Sequence, residues 1–249
     1  RRAAILGLLG VALAGPAAAA DPSDFRRGVN IGDYLAYPRS RSWPYFAGRD
    51  AEVELAELKK LEAAGFAFVR LPVEPAPFFN DGGVNADRLS ARLEAFLDDA
   101  RTAGLAVIVT GFPRHELPEW SQKAVLADPA GSRFRDYQGF LTRLAEILVA
   151  RKDEALALEL MNEPQPECRK IDGPDWRDLQ RRLYEAVRGV APKLTIVLTG
   201  GCWSSIDGLE GFDLSGYDRN ILVDLHFYEP FKFTHQGATW TVPELRFAA

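Results

Sequence analysis

Short, almost wholly apolar runs alternate in this chain with longer segments whose apolar residues recur at helical spacing. Such runs are typical of strands in a parallel sheet that is covered on both faces. The amphipathic segments between them supply the covering helices, with their charges directed outward. The alternation therefore predicts an α/β fold. The predicted strands are Gly28–Gly32, Phe66–Leu71, Ala106–Thr110, Ala155–Leu160, Leu194–Thr199 and Asn220–His226. The predicted helices are Asp50–Ala64, Ala86–Ala103, Phe134–Ala150 and Trp176–Val190.

The turn after the first predicted strand distinguishes two kinds of α/β fold. A doubly wound nucleotide-binding sheet is expected to carry a glycine-rich phosphate turn there. Residues 33–37 instead read DYLAY, and the chain contains no P-loop. A (β/α)8 TIM barrel, with its chemistry at the C-terminal ends of the strands, is the better prediction. Only about the first six βα units are present, so we expect the rest of the barrel to lie beyond this chain.

The first 20 residues resemble a cleavable export signal. Two arginines open the chain, a short apolar run follows, and four alanines end at Ala20. The apolar run is too short for a membrane anchor, which is the alternative. We therefore expect a signal peptide over 1–20 and one domain over 21–249, incomplete at its C-terminus. The protein is expected to be periplasmic or secreted, by either the Sec or the Tat route.

Export would place Cys168 and Cys202 in an oxidising compartment, where disulfides form and persist. Both follow predicted strands on the same rim of the barrel. They either pair with each other or remain two buried thiols, and the sequence leaves both alternatives open.

Composition argues against several classes of function. The 249 residues include 35 acidic and 30 basic side chains, and this net charge of −5 gives no broadly cationic surface for nucleic acid. The chain has three His and no HExxH, CxxC or Asp-rich loop, so neither a metal nor another cofactor is expected. No GxSxG elbow supports a serine-based triad.

Polar side chains follow the predicted strands where a barrel places its active site. Arg70 lies near the end of the second strand, Asn162 and Glu163 follow the fourth, and His226 and Tyr228 follow the sixth. A carboxylate flanked by an amide, an arginine, a histidine and a tyrosine suits acid/base chemistry, because these neighbours tune its pKa and orient a hydroxyl group.

These residues, in this order on these strands, resemble glycoside hydrolase family 5. This is the cellulase-type family of retaining (β/α)8 glycosidases, and the likeness runs from strand one to beyond Tyr228. The resemblance implies that Glu163 is the general acid/base and that Asn162 hydrogen-bonds the sugar 2-hydroxyl. It also implies that Arg70 keeps the nucleophile ionised, that Tyr228 hydrogen-bonds the nucleophile, and that His226 lies near the acid/base.

Each of these roles has a structural alternative. Glu163 would otherwise cap a loop, and Asn162 would otherwise only form a turn. Arg70 would otherwise belong to a structural ion pair, and His226 would otherwise be a satisfied core residue.

The sequence departs from the family pattern at two places. The family usually has a His at the end of strand three, whereas here the nearest candidate is His115, displaced into the loop. The family nucleophile is a Glu at the end of strand seven, and the chain stops at Ala249 before any such strand. The fragment as given is therefore predicted to be inactive. No nucleophile role is assigned to the loop residues Glu167, Glu229 and Glu244.

Glu159 and Asp224 lie earlier in their strands, where one interior ion pair is expected to account for both.

Four tryptophans follow strands on the same rim and are candidates for stacking on sugar rings. The alternative is that each packs beneath a long loop. They are Trp43, Trp120, Trp203 and Trp240.

The expected function is retaining hydrolysis of a β-linked polysaccharide, most favourably as an endo-β-1,4-glucanase. The expected partner is the glycan alone, with no nucleic acid, no membrane span after signal removal, and a monomeric state. The alternative is a non-catalytic carbohydrate-binding pseudoenzyme. A barrel with isomerase chemistry is less favoured, because the strand ends supply neither metal ligands nor a lysine base.

Overall fold

The computed structural model describes residues 22–46, 53–114, 117–152, 155–165, 175–238, 241 and 246. Six parallel strands form one sheet in the order of the sequence, β1 to β6. Within the described part of the chain, β1 and β6 are therefore the two edges. The strands are β1 Gly28–Asn30, β2 Phe68–Val73, β3 Ala106–Gly111, β4 Leu156–Glu159, β5 Thr195–Thr199 and β6 Ile221–Asp224.

Helices on the outer face connect successive strands, and the long helices α1, α3, α5 and α6 pack side by side. The shorter segments lie in the loops that follow the strands. The helices are α1 Leu55–Ala63, α2 Ala76–Phe79, α3 Ala86–Ala103, α4 Gln122–Leu126, α5 Ser132–Ala150, α6 Trp176–Val190, α7 Gly201–Ser204 and α8 Phe231–Thr234. Short 3₁₀ segments cover Pro22–Phe25, Asn80–Gly83 and Ile206–Leu209. Parallel strands in sequence order with helices outside them form a partial (β/α)8 barrel, as predicted.

Strand residues alternate between two apolar layers. On β4, Leu156 and Leu158 join the large core between sheet and helices, whereas Ala157 faces the barrel interior. There Ala157 packs with Ile108 and Val197 in a small separate cluster. Glu159, two residues further along the same strand, shares the inward direction. The interior is thus apolar at its middle and polar at the C-terminal end, where an active site belongs in this fold.

The largest difference from the predicted strands is in β2, which continues through Pro72 to Val73. Proline interrupts a sheet because it lacks an N–H. Arg70 O accepts from Ile31 N, and Glu74 N donates to Leu35 O, so the backbone groups of both residues point toward the side of β1. Because backbone directions alternate along a strand, those of Pro72 point to the same side. β1 has already ended at this level, so the missing N–H costs the ladder nothing.

Helix boundaries follow local capping signals. α1 begins later than predicted, because Glu54 and Glu57 form a reciprocal capping box at its start; residues 50–52 of the prediction lie outside the described residues. The bounds predicted for α3 and α6 match those observed. α3 ends at Ala103 and is capped by Gly104, whose φ of 79° is the left-handed conformation that glycine adopts without strain.

The edge strand β6 is less buried than predicted, because strands of this sheet are expected to be covered on both faces. Its residues are only partly buried, and Val223 is exposed.

In the stretches of chain that the structure covers, no helix has the length and apolar character needed to cross a bilayer.

Candidate active site

A buried ion pair lies at the polar end of the barrel interior. The guanidinium of Arg70 donates from Nε and Nη2 to the two carboxylate oxygens of Glu159, each at 2.7 Å. Thr110 Oγ1 also donates to Glu159 Oε2 at 2.9 Å. Glu159 is only 1% exposed, so both of its oxygens are satisfied by protein groups rather than by solvent. Two parallel charge-assisted bonds fix the orientation of the guanidinium as well as its position.

The same guanidinium orients two side-chain amides. Its Nη1 donates to Asn30 Oδ1 at 3.0 Å, and its Nη2 donates to Asn162 Oδ1 at 2.9 Å. Burial opposes the charge of Arg70, but the carboxylates of Glu159, Asp224 and Glu163 raise its pKa above the usual value. Because only an amide oxygen accepts from a guanidinium, the NH₂ group of Asn162 is left as the donor for another group.

Glu163 occupies a tight turn that follows β4, with residues 160–162 between the strand and Glu163. Its φ is 44°, a left-handed conformation that costs a non-glycine residue roughly 1–3 kcal/mol unless the surroundings impose it. The turn begins where Asn162 N donates to Gly111 O at 2.8 Å, and Trp203 N donates to Pro164 O at 2.9 Å on its other side. The Glu163 side chain is 30% exposed and therefore accessible to a ligand.

His226 lies between two carboxylates. Its Nδ1 is 2.6 Å from Glu163 Oε1, and its Nε2 is 3.2 Å from Asp224 Oδ2. Burial disfavours the charged ring, but the hydrogen bonds and charges of Asp224 and Glu163 raise the pKa of His226 to about 9. At neutral pH both ring nitrogens are therefore protonated, and each donates to one carboxylate. Burial would raise the pKa of Asp224, but the His226 bond and charge lower it below the usual range.

The expectation that one interior ion pair accounts for both Glu159 and Asp224 is wrong. Glu159 pairs with Arg70, whereas Asp224 pairs with His226. The reason is that each carboxylate takes the nearest cation on the interior face, and two cations are present.

Tyr228 and Trp203 line the exposed side of this site. Tyr228 is about half exposed and presents its ring edge-on to His226, with 6.1 Å between the ring centroids. Burial and the nearby charge of Glu163 raise the pKa of Tyr228. Trp203 is 50% exposed, and its backbone bond to Pro164 ties it to the Glu163 turn. It is the predicted tryptophan that the described contacts bring next to the site.

Trp120, in contrast, is not an exposed groove residue. It is only 2% exposed, stacks on Phe79 with 4.5 Å between ring centroids, and carries the Arg133 guanidinium over its ring. Both ring faces are thus used inside the protein, and the packing alternative replaces the sugar-stacking prediction. Trp43 is exposed, but its described contacts are with Tyr45 and Arg88 rather than with the site.

Several predicted residues fall outside the described part of the chain. His115 and Trp240 are among them, as is Cys168. Cys202 is disulfide-bonded in the structure, and Cys168 is the other cysteine of the chain.

One group of side chains has the spacing of metal ligands. Single ligand atoms of Glu159, Asp224 and His226 all lie within 4.8 Å of one another. The donor set does not suit a cation as it stands, because Arg70 occupies both Glu159 oxygens and His226 is itself a protonated donor.

Comparison with known proteins identifies the family of the chain. The family model described as Cellulase (glycosyl hydrolase family 5) matches residues 40–246. The chain belongs to this family. Cellodextrinase A of Ruminococcus flavefaciens is 28% identical over 224 residues, which cover 86% of this chain and 62% of that protein. Endoglucanase C of Acetivibrio thermocellus is 26% identical, with 87% and 61% covered. A structure of Thermotoga maritima Cel5A in complex with mannotriose matches with a TM-score of 0.70 at 25% identity, over 87% of this chain and 65% of that one. The chain thus spans less than two thirds of the length of these relatives.

Several members of the network around this family 5 site were not predicted from the sequence as site residues. Asn30 and Thr110 bond to Arg70 and Glu159, respectively. A signal for both existed in the strand register, because Asn30 is the partner of Arg70 and Thr110 the partner of Glu159. Gln122, which bonds to the Glu163 turn, had no comparable signal because it lies in a loop helix.

The Arg70–Glu159 pair yields a stability prediction. Removing one partner leaves a buried charge unpaired, so Glu159→Gln and Arg70→Met should each lower the free energy of unfolding by about 3–5 kcal/mol. The double variant should lose clearly less than the sum of the two. Urea denaturation of the four proteins measures this coupling.

The matched control is the surface pair of Arg133 and Asp136, whose nearest atoms are 3.7 Å apart. Asp136→Asn should change stability by less than about 1 kcal/mol, as is usual for exposed ion pairs. If Glu159→Gln costs no more than Asp136→Asn, the ion pair does not organise the interior.

His226 yields a pH prediction. Its pKa is raised from 6.5 to about 9 on folding, so its ion pairs stabilise the protein fully below pH 6.5. This stabilisation should be lost as the pH rises through about 9, and it amounts to at most about 3.5 kcal/mol, since one pKa unit corresponds to about 1.4 kcal/mol. NMR titration of the three imidazoles, with His226→Gln to assign the signals, measures it. A His226 midpoint near 6.5 would contradict the double ion pair.

Proposed function

We propose that this chain carries the acid/base part of the active site of a retaining endo-β-1,4-glucanase. The observation that carries the proposal is the contact of 2.6 Å between Glu163 and His226, beside an Asn162 amide that Arg70 holds in one orientation. A glycosidase of this type needs an accessible carboxyl that exchanges a proton and a fixed donor for a sugar hydroxyl.

The surroundings of the three carboxyl groups favour Glu163, rather than Glu159 or Asp224, as the proton donor. Glu159 is buried and held by Arg70 and Thr110. Asp224 is held ionised by His226. Glu163 lies in the turn and is partly exposed, and the next residue, Pro164, accepts a backbone bond from Trp203. Environments that separate neighbouring carboxylates in this way are what assigns acid and base roles in enzymes.

In the proposed first step, the protonated Glu163 carboxyl donates its proton to the glycosidic oxygen while the bond from that oxygen to the anomeric carbon breaks. A carboxylate nucleophile forms the new bond to the anomeric carbon on the opposite face. In the second step, ionised Glu163 accepts a proton from water, and the oxygen of that water displaces the nucleophile. His226 donates to Glu163 throughout and steadies its position.

The proposed role of Asn162 follows from its orientation. Its oxygen accepts from Arg70, so its NH₂ group is free to donate to the oxygen of the sugar 2-hydroxyl. This bond strengthens as positive charge develops on the sugar ring in the transition state. Arg70 would act on substrate only through Asn162 and, as the family resemblance implies, by holding the nucleophile ionised.

The nucleophile is proposed to lie outside these 249 residues. The two other carboxylates of the site, Glu159 and Asp224, are each committed to a cation. In a retaining glycosidase, the nucleophile and the acid/base are about 5–5.5 Å apart. A carboxylate on a strand next to β6 would complete this pair, and Tyr228, which follows β6, would hydrogen-bond to it.

The proposed substrate is a β-1,4-linked glucan, with Trp203 stacking on a sugar ring. Two relatives are named as a cellodextrinase and an endoglucanase, which supports a glucan. The complex of Thermotoga maritima Cel5A with mannotriose makes mannan the second substrate to compare.

Export to the periplasm or beyond is also proposed. Residues 1–20 have the pattern of a signal peptide and lie outside the described residues. The disulfide at Cys202 supports an oxidising compartment.

Glu163→Gln tests the proposed chemistry in the protein expressed from its complete gene. The amide cannot donate the required proton, so hydrolysis of soluble cellulose derivatives should fall by about 10²–10⁴-fold. Hydrolysis of an aryl cellobioside with a good leaving group should fall much less in its first step, because that leaving group needs little protonation. The measurement is the ratio of the two rates for each protein.

Glu119→Gln is the matched control, since Glu119 is exposed in the loop after β3. It should leave both rates near those of the unsubstituted protein. A Glu163→Gln protein that still hydrolyses cellulose derivatives at the original rate would remove Glu163 from the mechanism. Binding of glycan without hydrolysis by the unsubstituted protein would instead favour the pseudoenzyme alternative.

Processing of the N-terminus tests the proposed export. Mass spectrometry of protein recovered from the periplasm or medium should find a mature chain that begins at or near Asp21. Leu9→Arg, within the apolar run, should retain the protein in the cytoplasm, whereas Leu214→Arg, at an exposed position, should not. An unprocessed cytoplasmic protein would contradict the proposal.

A further inference from the structure

The turn that carries Glu163 is bridged by the side chain of Gln122. Gln122 is the first residue of α4 and is 7% exposed. Its Nε2 donates to Asn162 O at 2.7 Å, and its Oε1 accepts from Gln165 N at 3.1 Å. One side-chain amide therefore bonds to the backbone on both sides of Glu163.

We propose that Gln122 is a positioning residue for the acid/base, which holds Glu163 in its left-handed conformation and against His226. This inference rests on the proposed role of Glu163. The described bonds of Gln122 go to the backbone and not to the Glu163 carboxyl group, so it acts through the backbone of the turn.

The turn needs such a bridge because its central residue is strained. A non-glycine residue at a φ of 44° relaxes toward negative φ when the surrounding bonds permit. That rotation would swing the Glu163 carboxylate away from His226 Nδ1. Fixing the carbonyl before Glu163 and the N–H two residues after it opposes this rotation from both sides.

The other contacts of the segment hold its flanks. Tyr137 donates to Leu160 O at 2.8 Å, and Asn162 N donates to Gly111 O at 2.8 Å. Both precede Glu163. Trp203 N adds one bond after Glu163, to Pro164 O. Gln122 alone among these contacts bonds on both sides of Glu163.

Gln122 is itself held in place by a rigid support. Ser121 caps α4 by accepting from Ala124 N at 3.2 Å. Val125 and Leu126 of the same helix are buried in the main core, where α4 packs on α5. Because α4 is packed in the core, the Gln122 side chain has a fixed position and can hold the turn in place. A mobile surface side chain could not do so.

A glutamine side chain is the chemical match for these two contacts. The carbonyl of Asn162 requires a donor, and the N–H of Gln165 requires an acceptor. A carboxylate at this position would keep the acceptor but would place a negative charge against the Asn162 carbonyl. Methionine has nearly the same length and supplies neither bond.

The test compares Gln122→Met with Gln180→Met in the full-length protein. Gln180 is buried as well, and its Oε1 accepts from Thr199 N at 2.8 Å, which is not part of the Glu163 turn. Both variants should lose stability. Gln122→Met alone should lower the rate on cellulose derivatives by 10-fold or more while reducing the rate on the activated aryl cellobioside much less.

Two readouts do not depend on activity. In Gln122→Met the pKa of His226 should fall below about 9, because Glu163 no longer stays beside the ring, while Asp224 still keeps it above 6.5. The amide proton of Gln165 should also exchange faster with solvent. Neither change is expected in Gln180→Met. If Glu163→Gln leaves hydrolysis intact, the proposed function fails, but these two measurements still decide the role of Gln122.

Gln122→Glu provides a second variant should Gln122→Met not fold. At low pH, the introduced carboxyl is protonated, donates to Asn162 O and should restore the Glu163 geometry. Above its pKa, ordinarily about 4.3, the defect should return. The proposal is overturned if Gln122→Met matches Gln180→Met in the ratio of the two rates, in the His226 titration and in Gln165 exchange. For Gln122→Glu, a defect independent of pH would overturn it equally.

Discussion

The buried pair of Arg70 and Glu159 is the interaction on which the rest of the site depends. It joins β2 to β4 across β3, and Thr110 and Asn30 extend it to β3 and β1. A charge in this interior is tolerated only with its partner in place. Since one residue of slippage would turn either side chain to the other face of the sheet, the pair also fixes strand register. The apolar layer beneath it, made of Ile108, Ala157 and Val197, permits this polar layer but does not specify it.

A strained turn lies next to this fixed polar layer. Arg70 orients the Asn162 side chain, and the next residue, Glu163, adopts positive φ. The order matters physically, because a strained residue persists only when the bonds around it over-determine its conformation. The strands hold the fixed polar layer, and the Glu163 carboxyl lies beyond the end of β4, where it is accessible. In barrels of this kind, the strand ends carry the chemistry for this reason.

The sequence predicted the strands and the outer helices well, because their signals are local periodicities and caps. The bounds of α3 and α6 could be read from Ala86 to Ala103 and from Trp176 to Val190 without error. Partners within the site were harder to predict. Glu159 and Asp224 were assigned to one ion pair, yet each has its own cation, because partner choice depends on how neighbouring strands stagger in three dimensions. Trp120 illustrates the same limit, since loop sequence does not state whether an indole faces solvent or stacks beneath the loop.

Charge balance connects the structural network to the proposed chemistry. At neutral pH, Arg70 and His226 contribute two positive charges, against three carboxylates at Glu159, Asp224 and Glu163. Glu159 and Asp224 neutralise the two cations, so the third carboxylate is in excess when ionised. Covering the site with a neutral sugar removes solvent, and an unbalanced charge then becomes more costly. Glu163 is the accessible member of the three, so under the proposed function it is the carboxyl group that exchanges a proton with the substrate.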